Sequence, residues 1–559
     1  MARLGPSAGG GGRVPVSDSL RIVSLGGSGG FGLNATLVVW RGEALLVDFG
    51  AGYPHAGMLG VERLVPDPRP LIDEVGRLHA VLLTHAHDDH CGAIGHLPPP
   101  WRSAPVYGLP LTLRVARDRC LEAGRSLTAA ALPEEGELAI GPFRARFVPV
   151  AHSVPQSSML VIDTPAGRLV HSGDFKFDDD PVSGSPTDRD RLRRLGREGV
   201  RVLLLDSTGA RTPGRTPGER LARRKVADAV RGVEGQVLAT TFSSHVDRIS
   251  AFLAAAAAEG RTVGLVGRRM TEMARHALEL GLLDPPSGLL ASPEEVAELP
   301  PRRRLWLAGG CQGELGSSMT RISFGNDRLV RTGPGDRVLI SARVIPGAEP
   351  LVSRMIDRFL RTGAEVWHAD DHPGLHVSGH AAREELREMV ELLAPEFVVP
   401  VHGDRRHLEM NAAIAASASA KAVVAESGEW LALGGEGMVR GASVDLPPRL
   451  FDASGREATA DEVRRRRRIA RHGIVIVVLE GEEGVRVDAH GIAGWDDDPD
   501  LRREILTRAR EIAAGRRGEG RPPGALAEEL ARTLGNLLRG EARFRPEVIV
   551  SEPPREEER

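Results

Sequence analysis

Cysteine is scarce: Cys91, Cys120 and Cys311 are the only three in 559 residues. That excludes a disulfide framework and favours a reducing compartment. Aromatic residues make up 4%; beside the abundant Arg and Ala, this reads as a coding bias rather than a functional signal. Long apolar runs are missing too. None approaches the roughly 20 residues of a membrane span, and the opening MARLGPSAGGGGRVPVSDS has no apolar h-region, so residues 1–18 read as a flexible lead-in. Neither sign of charge dominates. A formal net charge of −3 does not advertise nucleic-acid binding, although local basic strips or bound cations would set the field in a cleft whatever the total. These absences argue against a membrane protein and a secreted disulfide scaffold, and predict a cytoplasmic protein.

What is present is an ordinary globular composition, 41% hydrophobic and 27% charged, on a chain long enough for two to four domains. From residue 20 short β-type runs alternate with turns, as in LRIVSLGG, ATLVVW and EALLVDFG. HAVLLTH, FRARFVPVAH, SSMLVIDT and GRLVHSGD follow, each ending in or just before a His or Asp. After VRVLLLDSTGA, helical segments such as HVDRISAFLAAAAAEG alternate with GQVLATTF, TVGLVG and RLWLAGG, the texture of a parallel-sheet domain. Helix 381–394 leads into PEFVVPVHGD, Gly-rich turns come next, and a small α/β tail domain starts near 458. The final PPREEER is expected to fray.

The stretch VLLTHAHDDHCGAIGHL (81–97) carries the chemistry. His85, His87, Asp89 and His90 form H-x-H-x-D-H behind an apolar run. In an extended segment alternate side chains share a face, so His85 and His87 point together, and the turn that follows aims Asp89 and His90 nearby. One imidazole-rich and one mixed site suit paired Zn²⁺ or Mn²⁺ ions. A His-rich surface loop is the bland alternative. His152, Asp174 and His402, each just after an apolar strand, would singly be capping or core-edge residues; together with the cluster they complete the side chains of a two-metal hydrolase.

This constellation resembles the metallo-β-lactamase fold. The resemblance implies that His85, His87 and His152 hold one metal and that Asp89, His90 and His402 hold the other, with Asp174 bridging. A metal pair activates water at neutral pH and clamps attacking and leaving oxygens. Because that fold hosts many chemistries, further features must name the branch. More than 220 residues separate Asp174 from His402, Asp206 follows the apolar run LLLD, and HVSGHAAREEL sets His376, Ser378 and His380 before a helix. These are similar to the beta-CASP group of nucleic-acid-processing enzymes. GDFKFD, DST, QGE, IPG, HVSGHA, PVHGD and the ending RFRPEVIV narrow the resemblance to bacterial ribonuclease J, over about residues 20–550.

The implied architecture is α/β: a metallo-β-lactamase αββα core at 19–207 and 351–427, an inserted beta-CASP α/β domain at 208–350, a linker at 428–458, and a small C-terminal α/β domain at 459–553 serving oligomerisation. The implied activity is hydrolysis of single-stranded RNA, 5′-to-3′ exonucleolytic, endonucleolytic or both, in RNA maturation and decay. Asp89, Asp206 and His380 would be catalytic, with His380 assisting the leaving 3′ oxygen. Ser244, His245, Val246, His376, Val377, Ser378, Gly379 and His380 would form the 5′-end pocket. Implied partners are a second copy (homodimer or tetramer), a paralogous ribonuclease J subunit or a degradation complex, with no membrane.

Several positions depart from the family pattern. Asp88 stands for Glu, GSGGFGLN replaces a loop carrying an acid and a lysine, His245 replaces an Asn in the pocket, and Asp404 replaces Glu. A structural Ca²⁺ would use Gly60, Glu62 and Asp445, but the segment around Asp445 is shortened and Glu62 replaces Asp, which argues against it. HVSGH also reads as an N-cap opening its helix, VRRRRRIAR (463–471) as a solvated helix face rather than an RNA strip, and Cys91 as a small buried residue. His55, His79, His96 and His171 read as ordinary histidines. The alternatives are a weakly active scaffold paralogue, a small-molecule metallohydrolase and a DNA-processing beta-CASP enzyme. The intact ligand set argues against the first, although the altered pocket keeps it open; the second leaves the insertion, HVSGH and the tail domain without purpose. The tail domain and the fine motif match favour RNA over the third.

Overall fold

Two β-sheets face each other across the main hydrophobic core. In the computed structural model, which describes residues 19–551 apart from 56, 132–135, 481–483, 493–494, 497, 517–524 and 542–544, one sheet has eight strands and the other seven. The expected lead-in 1–18 and the ending PPREEER lie outside the described residues. Strand Phe143–Pro149 illustrates the patterning: Phe143, Ala145 and Phe147 enter the core while Arg144 is exposed. Strand Val202–Asp206 is buried throughout. Its Val202 and Leu204 face the opposite sheet, and Leu203 and Leu205 face helices Arg189–Glu198, Arg383–Leu393 and Arg405–Ser417. A continuous apolar run is what a strand covered on both faces requires. Helix Pro110–Glu122 packs beside strands of the eight-stranded sheet, completing the αββα layering.

Parallel pairing decides where the polar residues gather. Gly167–His171, Val202–Asp206 and Phe397–Val401 run parallel in the seven-stranded sheet, and Glu43–Val47 pairs parallel with Arg77–Leu82 in the other. Their C-terminal ends therefore share one edge of each sheet, and the residues just beyond them are drawn together.

The insertion is a six-stranded, wholly parallel sheet ordered Leu290–Ala291, Thr262–Val266, Arg304–Ala308, Val237–Thr240, Arg337–Ile340, Glu365–His368. Its core includes Met355 and Phe359 of helix Glu349–Arg361. The boundary expected at 350 is thus too early, because the last helix and strand of this sheet run to residue 368. The expected linker 428–458 is also corrected. Glu429–Gly434 and Gly437–Ser443 form a hairpin that extends the eight-stranded sheet beside Leu20–Gly26.

The chain divides into two units, residues 1–52 with 65–448, and 53–64 with 449–559. Within the second, Ile474–Glu480 is the central strand of a three-stranded sheet, antiparallel to Gly484–His490 and parallel to Glu547–Ser551. Its core takes Val475 and Val477 from that strand, Ile505 and Ala509 from helix Pro499–Arg516, and Leu530, Leu534 and Leu538 from helix Ala525–Glu541. The arginine run lies on helix Ala460–His472, where Arg464 pairs with Asp461, Arg465 and Arg468 pair with Glu547, and Arg466 donates to the Gly60 carbonyl. Three of the arginines thus pair with two carboxylates on a largely exposed helix face. No described helix is long and apolar enough to cross a membrane.

Candidate metal centre

H-x-H-x-D-H begins where strand Arg77–Leu82 ends. The chain leaves the strand, bends at Ala86, and from an extended His87 turns into the short helix Asp88–Cys91. Donor atoms of His85, His87, His152 and Asp174 all lie within 4.8 Å of one another, as do those of Asp89, His90 and His402, and those of Asp174, Asp206, His380 and His402. His87 Nδ1 is 3.0 Å from His85 Nε2 and 3.1 Å from His152 Nε2. Asp174 joins the groups: Oδ2 lies 3.6 Å from His85 Nε2 and 3.3 Å from His90 Nε2, while Oδ1 accepts from His402 Nδ1 at 2.9 Å. His402 Nε2 is 3.3 Å from Asp89 Oδ2. All seven side chains expected as ligands converge where the strand ends of the two sheets meet.

The far sides of the rings are fixed as well. His85 Nδ1 meets Thr84 Oγ1 at 2.9 Å, His90 Nδ1 donates to Asp48 Oδ2 at 2.8 Å, and His152 Nδ1 donates to the Gly379 carbonyl at 2.8 Å. Anchoring Nδ1 leaves each Nε2 lone pair facing inward. Asp48 also accepts from Thr84 N and Thr84 Oγ1, both at 2.8 Å. It sits in the left-handed region (φ 59), as does His402 (φ 56), where the chain must turn sharply at the strand end. Asn34 Nδ2 donates to Asp89 Oδ2 at 3.2 Å. Asp48, Thr84 and Asn34 escaped the sequence reading. VDFG was one more strand ending in Asp, and nothing local distinguishes a carboxylate that braces a ligand from one that caps a turn.

The electrostatics fit bound cations. Burial, then the neighbouring His90, holds His85 well below its ordinary pKa; burial and His87 do the same to His152; burial brings His87 to about 4. Those rings are neutral and can donate lone pairs. Burial works against charge on Asp174, yet His402, His90 and His380 outweigh it and keep the carboxylate ionised. Burial also opposes protonation of His90, but Asp174, Asp89 and Asp48 push it up to about 10. A region that clings to protons this tightly has negative charge that a dication can neutralise in their place. An N/O donor set of imidazoles and carboxylates suits Zn²⁺ or Mn²⁺.

Asp206 Oδ2 accepts from His380 Nδ1 at 2.8 Å, and the other ring nitrogen has no bond among the described residues. Burial lowers the His380 pKa, but Asp206 and Asp174 prevail and raise it. The expected pocket residues fall on two segments. Ser244, His245 and Val246 open helix Val246–Ala258, with His245 at the N-cap position and buried. Both of its ring nitrogens, and Nδ1 of His376, are buried without a hydrogen-bond partner among the described residues, and the two rings are 6.5 Å apart. Val377 is buried, and Ser378 Oγ accepts from His380 N at 3.1 Å. The N-cap reading of HVSGH is corrected, because the helix opens only at Arg383 behind Ala382. Gly379 has a different reason to be bare: a Cβ there would meet His152 Nδ1 and Ser153 Oγ, each at 2.8 Å.

Among the described residues no metal-type group includes Glu62 or Asp445, and the Gly60 carbonyl is taken by Arg466. Cys91 is fully buried with its thiol pushed well above the usual range by burial; it packs rather than ligates.

Comparison with known proteins agrees with this geometry. Residues 28–228 match the metallo-beta-lactamase superfamily, 234–359 the ribonuclease J beta-CASP domain, and 372–422 the Zn-dependent metallo-hydrolase RNA specificity domain. Ribonuclease J of Thermus thermophilus is 35% identical over 481 residues, covering 84% of each chain. That of Mycolicibacterium smegmatis is 34% identical over 540 residues, covering 95% of this chain and 96% of its own. Ribonuclease J2 of Bacillus subtilis is 31% identical over 469 residues, 83% of this chain and 84% of its own. A crystal structure of an Enterococcus faecalis protein of unknown function shares the fold over 74% of this chain and all of its own, with a TM-score of 0.52 at 18% identity. A two-sheet core with its polar strand ends gathered, a parallel-sheet insertion and these relatives lead to one conclusion: the chain belongs to the ribonuclease J family.

Proposed function

We propose that this metal-dependent ribonuclease hydrolyses single-stranded RNA at a pair of Zn²⁺ or Mn²⁺ ions, His85, His87 and His152 holding one, Asp89, His90 and His402 the other, with Asp174 shared. The observation that carries this reading is Asp174 itself, one carboxylate within reach of both donor groups. When bound, such a pair would activate water and stabilise charge on the phosphodiester oxygens.

The protein's own groups do the rest. Asp48, Thr84 and the Gly379 carbonyl keep the imidazoles in their ligating tautomers. Asp206 orients His380 and helps it keep its proton, so that His380 can deliver that proton to the departing 3′ oxygen. The products are then a 5′-phosphate and a 3′-hydroxyl. Nδ1 of His245 and Nδ1 of His376, buried without a hydrogen-bond partner among the described residues, support a phosphate-recognition pocket, since such atoms call for a ligand or water, while His245 Nε2 lies 3.6 Å from Glu219 Oε2. Burial, followed by Arg248, holds both imidazoles well below their ordinary pKa, so they would offer neutral N–H donors rather than charge.

Purified protein supplied with Mn²⁺ or Zn²⁺ and given 5′-monophosphorylated or 5′-triphosphorylated RNA tests this reading. Release of mononucleotides indicates 5′-to-3′ exonuclease action, and internal fragments indicate endonuclease action. Intact RNA under all conditions would favour the scaffold alternative. Asp89→Ala and His90→Ala should each abolish cleavage while leaving the fold intact. Three unpaired, buried thiols suit a reducing, cytoplasmic setting. The C-terminal unit is proposed to pair copies of the chain, which sedimentation velocity would report as a dimer or tetramer.

A further inference from the structure

The loop Gly26–Asn34 is tied to both halves of the metal centre. Ser28–Gly29 pairs with Gly403–Asp404, Gly30 bridges to Gly403, and Gly403 N donates to the Gly27 carbonyl at 3.0 Å. At its other end Asn34 N donates to the Asp89 carbonyl at 3.1 Å, and Leu33 N to that of Ala51 at 3.2 Å. The loop tip carries Phe31, which is 41% exposed. Its ring lies 6.1 Å from the His402 ring and 5.1 Å from the His407 ring, at 72° and 77°. Both imidazoles make T-shaped contacts with it, so neither is stacked parallel to the ring, and Phe31 enters none of the hydrophobic core clusters.

In the unit that contains the centre, Phe31 and Phe324 are the only exposed aromatic residues among those described, and the face of Phe324 is covered by the Arg358 guanidinium 3.4 Å from its centroid. A flat apolar surface held on a pinned loop beside a proposed metal ligand is what an unpaired base can stack on, whatever its identity. We infer that Phe31 is a stacking platform for an RNA base close to the scissile phosphate, and that it fixes the strand's register over the metal centre. This inference rests on the ribonuclease reading above.

Two measurements on the full chain test it. The first is cleavage of a single-stranded RNA by wild type, Phe31→Ala and Phe31→Trp. Phe31→Ala should lose roughly five- to a hundredfold in kcat/KM, the span expected for one base–aromatic stack, and Phe31→Trp should restore it. Moving an abasic ribose along the substrate should reveal one position where wild type suffers the same loss and Phe31→Ala suffers no further loss. A loop damaged only structurally would not show that non-additivity. The second is binding of oligonucleotides carrying 2-aminopurine at successive positions, with fluorescence quenched at one position by wild type and not by Phe31→Ala. Wild type that cleaves RNA no better than twofold above Phe31→Ala, with equal quenching, overturns the platform alone. Wild type that fails to cleave but still shows the Phe31-dependent quench upholds the platform and overturns the ribonuclease reading. Absence of any RNA binding overturns both.

Discussion

At the scale of single residues, the centre depends on side chains that never touch a metal. Asp48 steadies His90 directly and His85 through Thr84. Replacing it by Asn keeps the volume but removes the charge that holds the His90 Nδ1 proton. Asp48→Asn should therefore weaken metal affinity roughly 10- to 100-fold, as is typical when a ligand's outer partner is lost; metal titration followed by equilibrium dialysis would measure it. Asp247 offers a test away from the ligands. Burial, more than the nearby Glu219, raises its carboxyl to about 6 against hydrogen bonding from Ser183. Because the folded value exceeds the unfolded one, the contribution to stability is complete below about pH 4 and fades as pH rises through 6. Ionising this buried group costs on the order of 3 kcal/mol at neutral pH. Asp247→Asn should be more stable than wild type at pH 7.5, keep about half of that advantage near pH 5 and lose it below about pH 4, as read from paired denaturant titrations.

At the scale of elements, the segment 376–380 serves the centre as backbone. Gly379 sits against His152 so closely that an added methyl must displace the ring or Ser153. Gly379→Ala should lower metal occupancy and reduce kcat/KM by roughly 10- to 100-fold, and metal stoichiometry by mass spectrometry would reveal the vacancy. The ligands themselves were legible in the sequence because each follows an apolar strand, and parallel strands bring their ends together. The supports were not, since a lone Asp or Thr at a strand end looks the same whether it faces a turn or a histidine. Residues 433–449, within the expected linker 428–458, read as Gly-rich turns because Gly434, Gly435 and Gly437 mark only the bend. The strands on either side are specified by their fit against Leu20–Gly26, which no local pattern reports. The end of the insertion was missed for a similar reason: Glu365–His368 is a four-residue strand whose membership is decided by its partner Arg337–Ile340.

At the scale of the whole molecule, each unit owns its hydrophobic core, and among the described residues the metal-type side-chain groups all fall in the larger one. Stripping metal with a chelator removes cations from among Asp89, Asp174 and Asp206, leaving carboxylates and protons to share the space. At free metal a thousandfold above Kd, binding stabilises by about 4 kcal/mol. Calorimetry should therefore show one transition that falls on chelation and recovers when Zn²⁺ or Mn²⁺ is restored. The transition belonging to the unit built on Ile474–Glu480 should stay where it was. Movement of both together would mean that the two cores unfold as a single cooperative body.

Residues 53–64 were placed in the metallo-β-lactamase core by the sequence reading, yet they belong with 449–559 while their neighbours on both sides belong to the larger unit. The polypeptide therefore crosses between the units three times, near 52, 64 and 448, and Glu62 N donates to the Phe451 carbonyl at 2.8 Å within the smaller one. Such lacing makes the tail hard to amputate: a protease that nicks the chain at 448 frees no covalent bond at the other two crossings. The severed piece would stay docked on its own borrowed loop, and a gene truncated at that point would leave twelve residues stranded without their sheet.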